Sequence, residues 1–165
     1  MFKSFCCLVI VSLSFALSSA SANLNAHPPF TASQKEASID DVVDRAHELL
    51  GTPYKWGGTS AEQGFDCSSL LVYLFKTQAN IRIPRTTTAM QRSTAATVTR
   101  NALQPGDAVF FKGNGSGQVS HVGLYIGEGK FIHSPRSGKN IRIDSLSNRY
   151  WNKHYTTAKR FHSAG

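Results

Sequence analysis

Residues 64–75 read GFDCSSLLVYLF. After Cys67 the apolar residues Leu70, Leu71, Leu74 and Phe75 fall at helical spacing, and Asp66 stands where an N-cap would. The segment predicts a helix, capped by Asp66 or a neighbour, that begins near Cys67 and runs on through SSLLVYLFKTQA. A thiol is thereby placed at a helix N-terminus, where unpaired backbone N–H groups favour an anion. The reactive form of cysteine is the thiolate, so the position suits a nucleophile. A buried structural cysteine is the competing reading, and the thiol alone does not choose between them.

Upstream, residues 52–65 read TPYKWGGTSAEQGF, rich in Gly and aromatic residues, and predict irregular backbone. Before them, Ser38 and Asp41 form a capping-box pattern opening a helix, IDDVVDRAHELL, that stops at Gly51. Its apolar stripe is Val42, Val43, Ala46, Leu49 and Leu50. Downstream, Pro84 breaks the run IRIPRTTTAMQ, and a short helix is expected after Arg85. From Leu103 the period changes. LQPGDAVFF reads as a turn and a strand, QVSHVGLYIGEGKFIHS as two strands around Gly127-Glu128-Gly129, and NIRIDSL as a further strand. Helices first and an antiparallel sheet second make an α+β arrangement.

The first 22 residues carry Lys3, an apolar run from Phe5 to Leu17, and small residues at Ala20 and Ala22. They read as a signal peptide cleaved after Ala22. An uncleaved anchor is the alternative, but the run is short for the roughly 20 residues a span requires. Residues 23–37, with Pro28-Pro29 and no periodicity, read as a flexible linker, leaving 38–165 as one domain. Cys6 and Cys7 leave with the leader and follow no lipoprotein-like run, so Cys67 is the one remaining thiol. Exported proteins tend to pair their cysteines, which singles this one out. The net charge is +8; without Lys3 it is +7, from 17 basic and 10 acidic residues. Such a surface favours an anionic partner. The basic residues are scattered rather than clustered, so charge does not select nucleic acid, and export argues against it.

Strand alternation puts Val122, Leu124 and Ile126 on one face of the hairpin and His121, Gly123 and Tyr125 on the other. With a three-residue loop, Ile126 pairs with Lys130 and Gly123 with His133. His121 and His133 then share a face as diagonal neighbours, roughly 7 Å apart at Cβ. Gly123 opposite His133 leaves room for a ring. A Cys at a helix start with two imidazoles on one strand face fits nucleophilic acyl transfer. His121 would take the thiol proton and return it to the leaving amine. His133 would orient His121 as a third member does. The first N–H groups of the Cys67 helix, with the Tyr54 hydroxyl, would hold the oxyanion. A Cys-His-His metal site with an open fourth position is the alternative use of the same residues. His27, His47, His154 and His162 read as ordinary surface residues.

The segments GTPYKWGGTSAEQGFDCSSLLVYLF, IRIPRTTTAMQ, LQPGDAVFF, SHVGLYIGEGKFIHS and IRIDSLSNRYWNKHYTTAKRF follow one another in an order that resembles the NlpC/P60 family of cell-wall cysteine peptidases. The likeness is nearest the Spr/MepS-type murein endopeptidases and covers about Asp40 to Phe161. It implies a papain-like α+β fold and hydrolysis of amide bonds in peptidoglycan peptides, with no cofactor and no metal. It implies Cys67 as nucleophile, His121 as base and His133 as third polar residue. Tyr54 matches the tyrosine associated with the cysteine, Asp66 and Ser68 match positions lining the substrate groove, and Arg85 matches a recurrent basic residue near the site. The family's usual DCSG is DCSS here, so Ser69 is expected to crowd the helix packing or alter the groove. The expectation is an exported monomer, periplasmic or secreted, without a stable membrane anchor. Its positive surface suits the carboxylates of the polymer.

Overall fold

The computed structural model describes residues 38–113 and 117–162. The expected leader and linker lie outside these residues. The α+β class is as expected: four helices and a six-stranded antiparallel sheet, with a two-stranded sheet beside it.

Helix α1 spans Ile39–Glu48, and its Ser38 and Asp41 form the reciprocal capping box. The stretch expected to be irregular instead contains two short strands, β1 (Thr59–Ser60) and β2 (Gly64–Phe65), paired antiparallel. Each is only two residues long, too short to leave an alternation pattern. Helix α2 spans Cys67–Ala79, so Cys67 is its first residue, and Asp66 is its N-cap. Helix α3, Thr87–Arg92, follows Arg85 and is capped by the Thr86 hydroxyl.

The large sheet is built from β3 (Ala96–Val98), β4 (Ala108–Lys112), β5 (Val119–Gly127), β6 (Lys130–His133), β7 (Arg142–Ser145) and β8 (Tyr155–Arg160). A short helix, α4 (Arg149–His154), leads into β8. The order is β3-β8-β4-β5-β6-β7, so the last strand in sequence lies between two earlier ones. Strand β4 is buried on both faces, which is why it reads as an unbroken apolar run. Phe110 joins Leu70, Leu74, Met90, Val122 and Leu124 in the core beneath α1, α2 and α3. Val109 and Phe111 join Tyr125, Phe131 and Ala158 in a second cluster on the other face, with Trp151 packed against it.

The hairpin closes differently from expectation. Its loop has two residues, Glu128 and Gly129, with φ of 52° and 69°, the two positive values a type I′ turn requires. Gly127 pairs with Lys130, and the register shifts between Tyr125 and Gly127. A loop shorter by one residue and a bulge of one residue cancel. Leu124 therefore pairs with Ile132, as the longer loop would have required. Gly123 then faces β6 at His133. A Cβ on Gly123 would lie 3.3 Å from the His133 Cβ and 2.5 Å from the Phe131 ring. Only glycine admits that approach.

Candidate active site

Asp66 organises the start of α2. Its carboxylate accepts from the Ser69 N–H at 2.8 Å, the Gly57 N–H at 3.0 Å and the Ser68 hydroxyl at 2.9 Å. Burial opposes its charge, but these donors prevail and hold it below the usual carboxylate range. Ser69 does not crowd the helix. Its hydroxyl accepts the Asp66 N–H at 2.9 Å and completes a capping box. Ser69 and Leu70 have spent their N–H groups on Asp66, which leaves those of Cys67 and Ser68 at the helix start.

The sulfur lies by the Val122 backbone of β5. The Tyr125 N–H points away from β6, to the Asp107 carbonyl at 2.8 Å. Alternation turns the Val122 N–H the other way, toward β6, beyond the last paired residues Leu124 and Ile132. That N–H is directed at Cys67, as are the Ser68 N–H and the Thr87 hydroxyl, the last 3.7 Å from Sγ. Buried Ser134, just past β6, donates to the Phe65 carbonyl at 2.6 Å and ties that strand to the entry of α2. The sulfur thus lies by the Val122 backbone, one residue along β5 from His121. Burial nevertheless pushes the thiol above its ordinary value, with the Asp66 charge acting in the same direction. The loss of solvent outweighs the three donors, so the helix terminus leaves work for a base.

His121 Nε2 and His133 Nδ1 are 2.8 Å apart. His133 is fully buried, and its Nε2 lies 2.9 Å from Asp144 Oδ2. The same oxygen accepts from Trp151 Nε1 at 2.9 Å and from Arg142 Nη2 at 2.9 Å. Burial works against the Asp144 charge, but these partners take its pKa down to about 2. Burial, reinforced by His133, takes His121 down to about 3. Burial also lowers His133, against the pull of Asp144. Both rings are neutral at neutral pH. With the ring nitrogens facing each other, no three such side chains converge as metal ligands among the described residues.

Residues 51–160 match the model of the NlpC/P60 family. The chain belongs to the NlpC/P60 family. It is 48% identical over 120 residues to murein DD-endopeptidase MepH of Escherichia coli K12, covering 72% of this chain and 44% of that one. It is 36% identical over 157 residues to the probable endopeptidase NlpC of the same organism, covering 93% of this chain and 97% of that one. A crystal structure of an NlpC/P60 family protein from Bacillus cereus superposes with a TM-score of 0.71 at 37% identity, covering 76% of this chain and 41% of the other. This chain spans about half the length, or less, of several of these curated relatives.

Within this NlpC/P60 domain the residues expected at the site fall into three groups. His121 and His133 are joined directly, and Cys67 stands at the Val122 N–H beside them. Tyr54 bridges to Phe65, and burial and then the Cys67 and Asp66 charges raise its pKa, so its hydroxyl lies in their field. Asp66, Ser68 and Arg85 line one cavity of about 250 Å³ along α2. A second cavity, of about 570 Å³, is lined by His121, Asp144 and Trp151. Asp144, Trp151 and Thr87 were not legible as site residues. The alternation in Arg142-Ile143-Asp144 was the available signal, since it sets two polar side chains on the face of β7 that His133 meets on β6. One further correction concerns His162: it is largely buried, with Nε2 3.5 Å from the buried Asp107.

Proposed function

We propose that this chain is an exported cysteine endopeptidase that hydrolyses amide bonds in peptidoglycan stem peptides or cross-links. The observation that carries the reading is Cys67 at the start of α2 against the Val122 backbone, one residue from His121, the first ring in a chain of hydrogen bonds running His121–His133–Asp144. Export rests on the leader-like first 22 residues, and the substrate class on the names of the relatives.

Cys67 and His121 both begin neutral. As the sulfur closes on the scissile carbonyl carbon, its proton passes to His121, whose Nε2 is held by His133 and whose Nδ1 is the nitrogen left for transfer. The S–C bond forms, and the oxyanion takes the remaining N–H groups at the start of α2 and the Tyr54 hydroxyl. The C–N bond breaks as the imidazolium returns its proton to the leaving amine, giving a thioester. Water attacks the thioester, His121 takes its proton, and release of the acid restores the thiol. Asp144 balances the charge that appears on the paired rings, as the third member of a triad does.

The test is release of peptides from isolated sacculi by wild type and by Cys67→Ala. Equal release by both overturns the enzyme reading and leaves a module that grips wall peptides. Product masses separate hydrolysis, with new amine and carboxyl ends, from acyl transfer to a second amine.

A further inference from the structure

Of the two cavities lined by the site residues, the larger holds the more cations. The smaller lies along α2 and is lined by Asp66, Ser68 and Arg85. The larger is lined by His121 together with Lys112, Arg136 and Arg142. His121 hands its proton to the departing nitrogen, so the half of the substrate that leaves as an amine lies on the side that His121 lines.

Of the three cations there, Arg142 is spent: its Nε and Nη2 both bond Asp144 Oδ2, at 3.1 and 2.9 Å. Lys112 and Arg136 are exposed and meet no carboxylate among the described residues. Lys112 ends the strand paired with the one that carries His121, and Arg136 lies just past the strand that carries His133. Lys112 is the last residue of β4, just past a register shift, while Phe111 before it pairs with His121. A bulge at that point re-aims the side chain that follows it. Arg136 follows His133 by three residues, in the turn that leaves β6. Two unspent cations thus face the leaving side, and neither belongs to the proton-transfer chain.

Resting on the hydrolase reading, we infer that Lys112 and Arg136 form a leaving-side subsite for a free carboxylate on the amine half of the substrate. Diaminopimelate carries such a group on the carbon that bears its second amine, and lysine in the same place carries none. The pocket therefore selects wall peptides of the diaminopimelate type over those of the lysine type. Partly exposed charges of this kind act over a screened range, so the preference shrinks as salt rises.

Binding to Cys67→Ala protein reads the subsite without turnover. The probes are two cross-linked stem peptides, identical except that one has diaminopimelate and the other lysine on the leaving side. At low salt the diaminopimelate peptide binds about tenfold more tightly. Adding Lys112→Gln and Arg136→Gln brings its Kd to that of the lysine peptide, whose own Kd stays put. Equal affinities before the two substitutions, a loss shared by both peptides after them, or no binding of either peptide overturns the subsite. In wild type the same two substitutions raise KM for the diaminopimelate peptide and leave kcat in place. If neither peptide is cleaved while the affinity ratio holds, the hydrolase reading falls and the carboxylate subsite stands.

Discussion

His121 is enclosed by rings: Trp151 stacks on it at 5.4 Å, Phe111 lies 6.1 Å away, and His133 meets it edge-on at 5.0 Å. This enclosure accounts for an imidazole that stays neutral far into acid. The acid limb of kcat/KM is expected well below 6.5, the ordinary imidazole value. A pH profile on a neutral peptide checks this, and an inflection near 6.5 contradicts it. In the proposed mechanism a thiol raised by burial takes His121 as its base. His121→Ala is expected to abolish alkylation of Cys67 by iodoacetamide at neutral pH as well as turnover; rapid alkylation of the variant would restore the helix terminus as sole activator. Asp144 and Trp151 act one bond further out. Asp144→Asn should lower kcat by at least about tenfold with KM little changed, because the tautomer of His133 is no longer fixed. Trp151→Phe keeps the stack and loses one donor, a loss of about 0.5–1.5 kcal/mol or two- to tenfold in kcat. Steady-state kinetics of the two variants checks both figures.

Among the elements, α2 and the β5–β6 hairpin set the geometry. Ser69→Ala removes the hydroxyl that accepts the Asp66 N–H and should cost about 1 kcal/mol, read from denaturant unfolding. Gly123→Ala drives a methyl into Phe131 and His133 and should cost about 1–3 kcal/mol, with activity falling further as β6 is pushed from β5. These elements were the most legible. The stripe Leu70, Leu71, Leu74 and Phe75 marks α2 with a start near Cys67, and alternation around Gly123 brings the two histidines together although the observed loop is one residue shorter than expected. Asp144 escaped because its role depends on which strand β7 joins, and pairing partners are not written in a strand's own pattern. Strand β8 escaped for a similar reason. In YTTAKR only Ala158 is fully buried, and the chain reads as polar until β3 and β4 flank it.

At the scale of the whole molecule, the neutral histidines link stability to pH. Both have native pKa values below the unfolded 6.5, so the unfolded chain binds protons that the native state refuses. Their contribution is complete above pH 6.5 and diminishes as pH falls below it. Asp144, at about 2 against 3.8, acts in the same sense lower down, its contribution draining away between those values. Unfolding midpoints measured from pH 8 to pH 3 should fall steadily from about 6.5 downward. A flat profile would mean that the rings are already charged in the native state. The sheet order has a different consequence, concerned with time rather than acidity. A ribosome delivers β3 through β7 before it delivers residue 155, yet the place of β8 is between β3 and β4. A nascent chain stalled short of that strand holds both imidazoles and the sulfur but lacks the slat that joins β3 to the rest of the sheet, so a chain interrupted late in synthesis leaves β4 as an open edge.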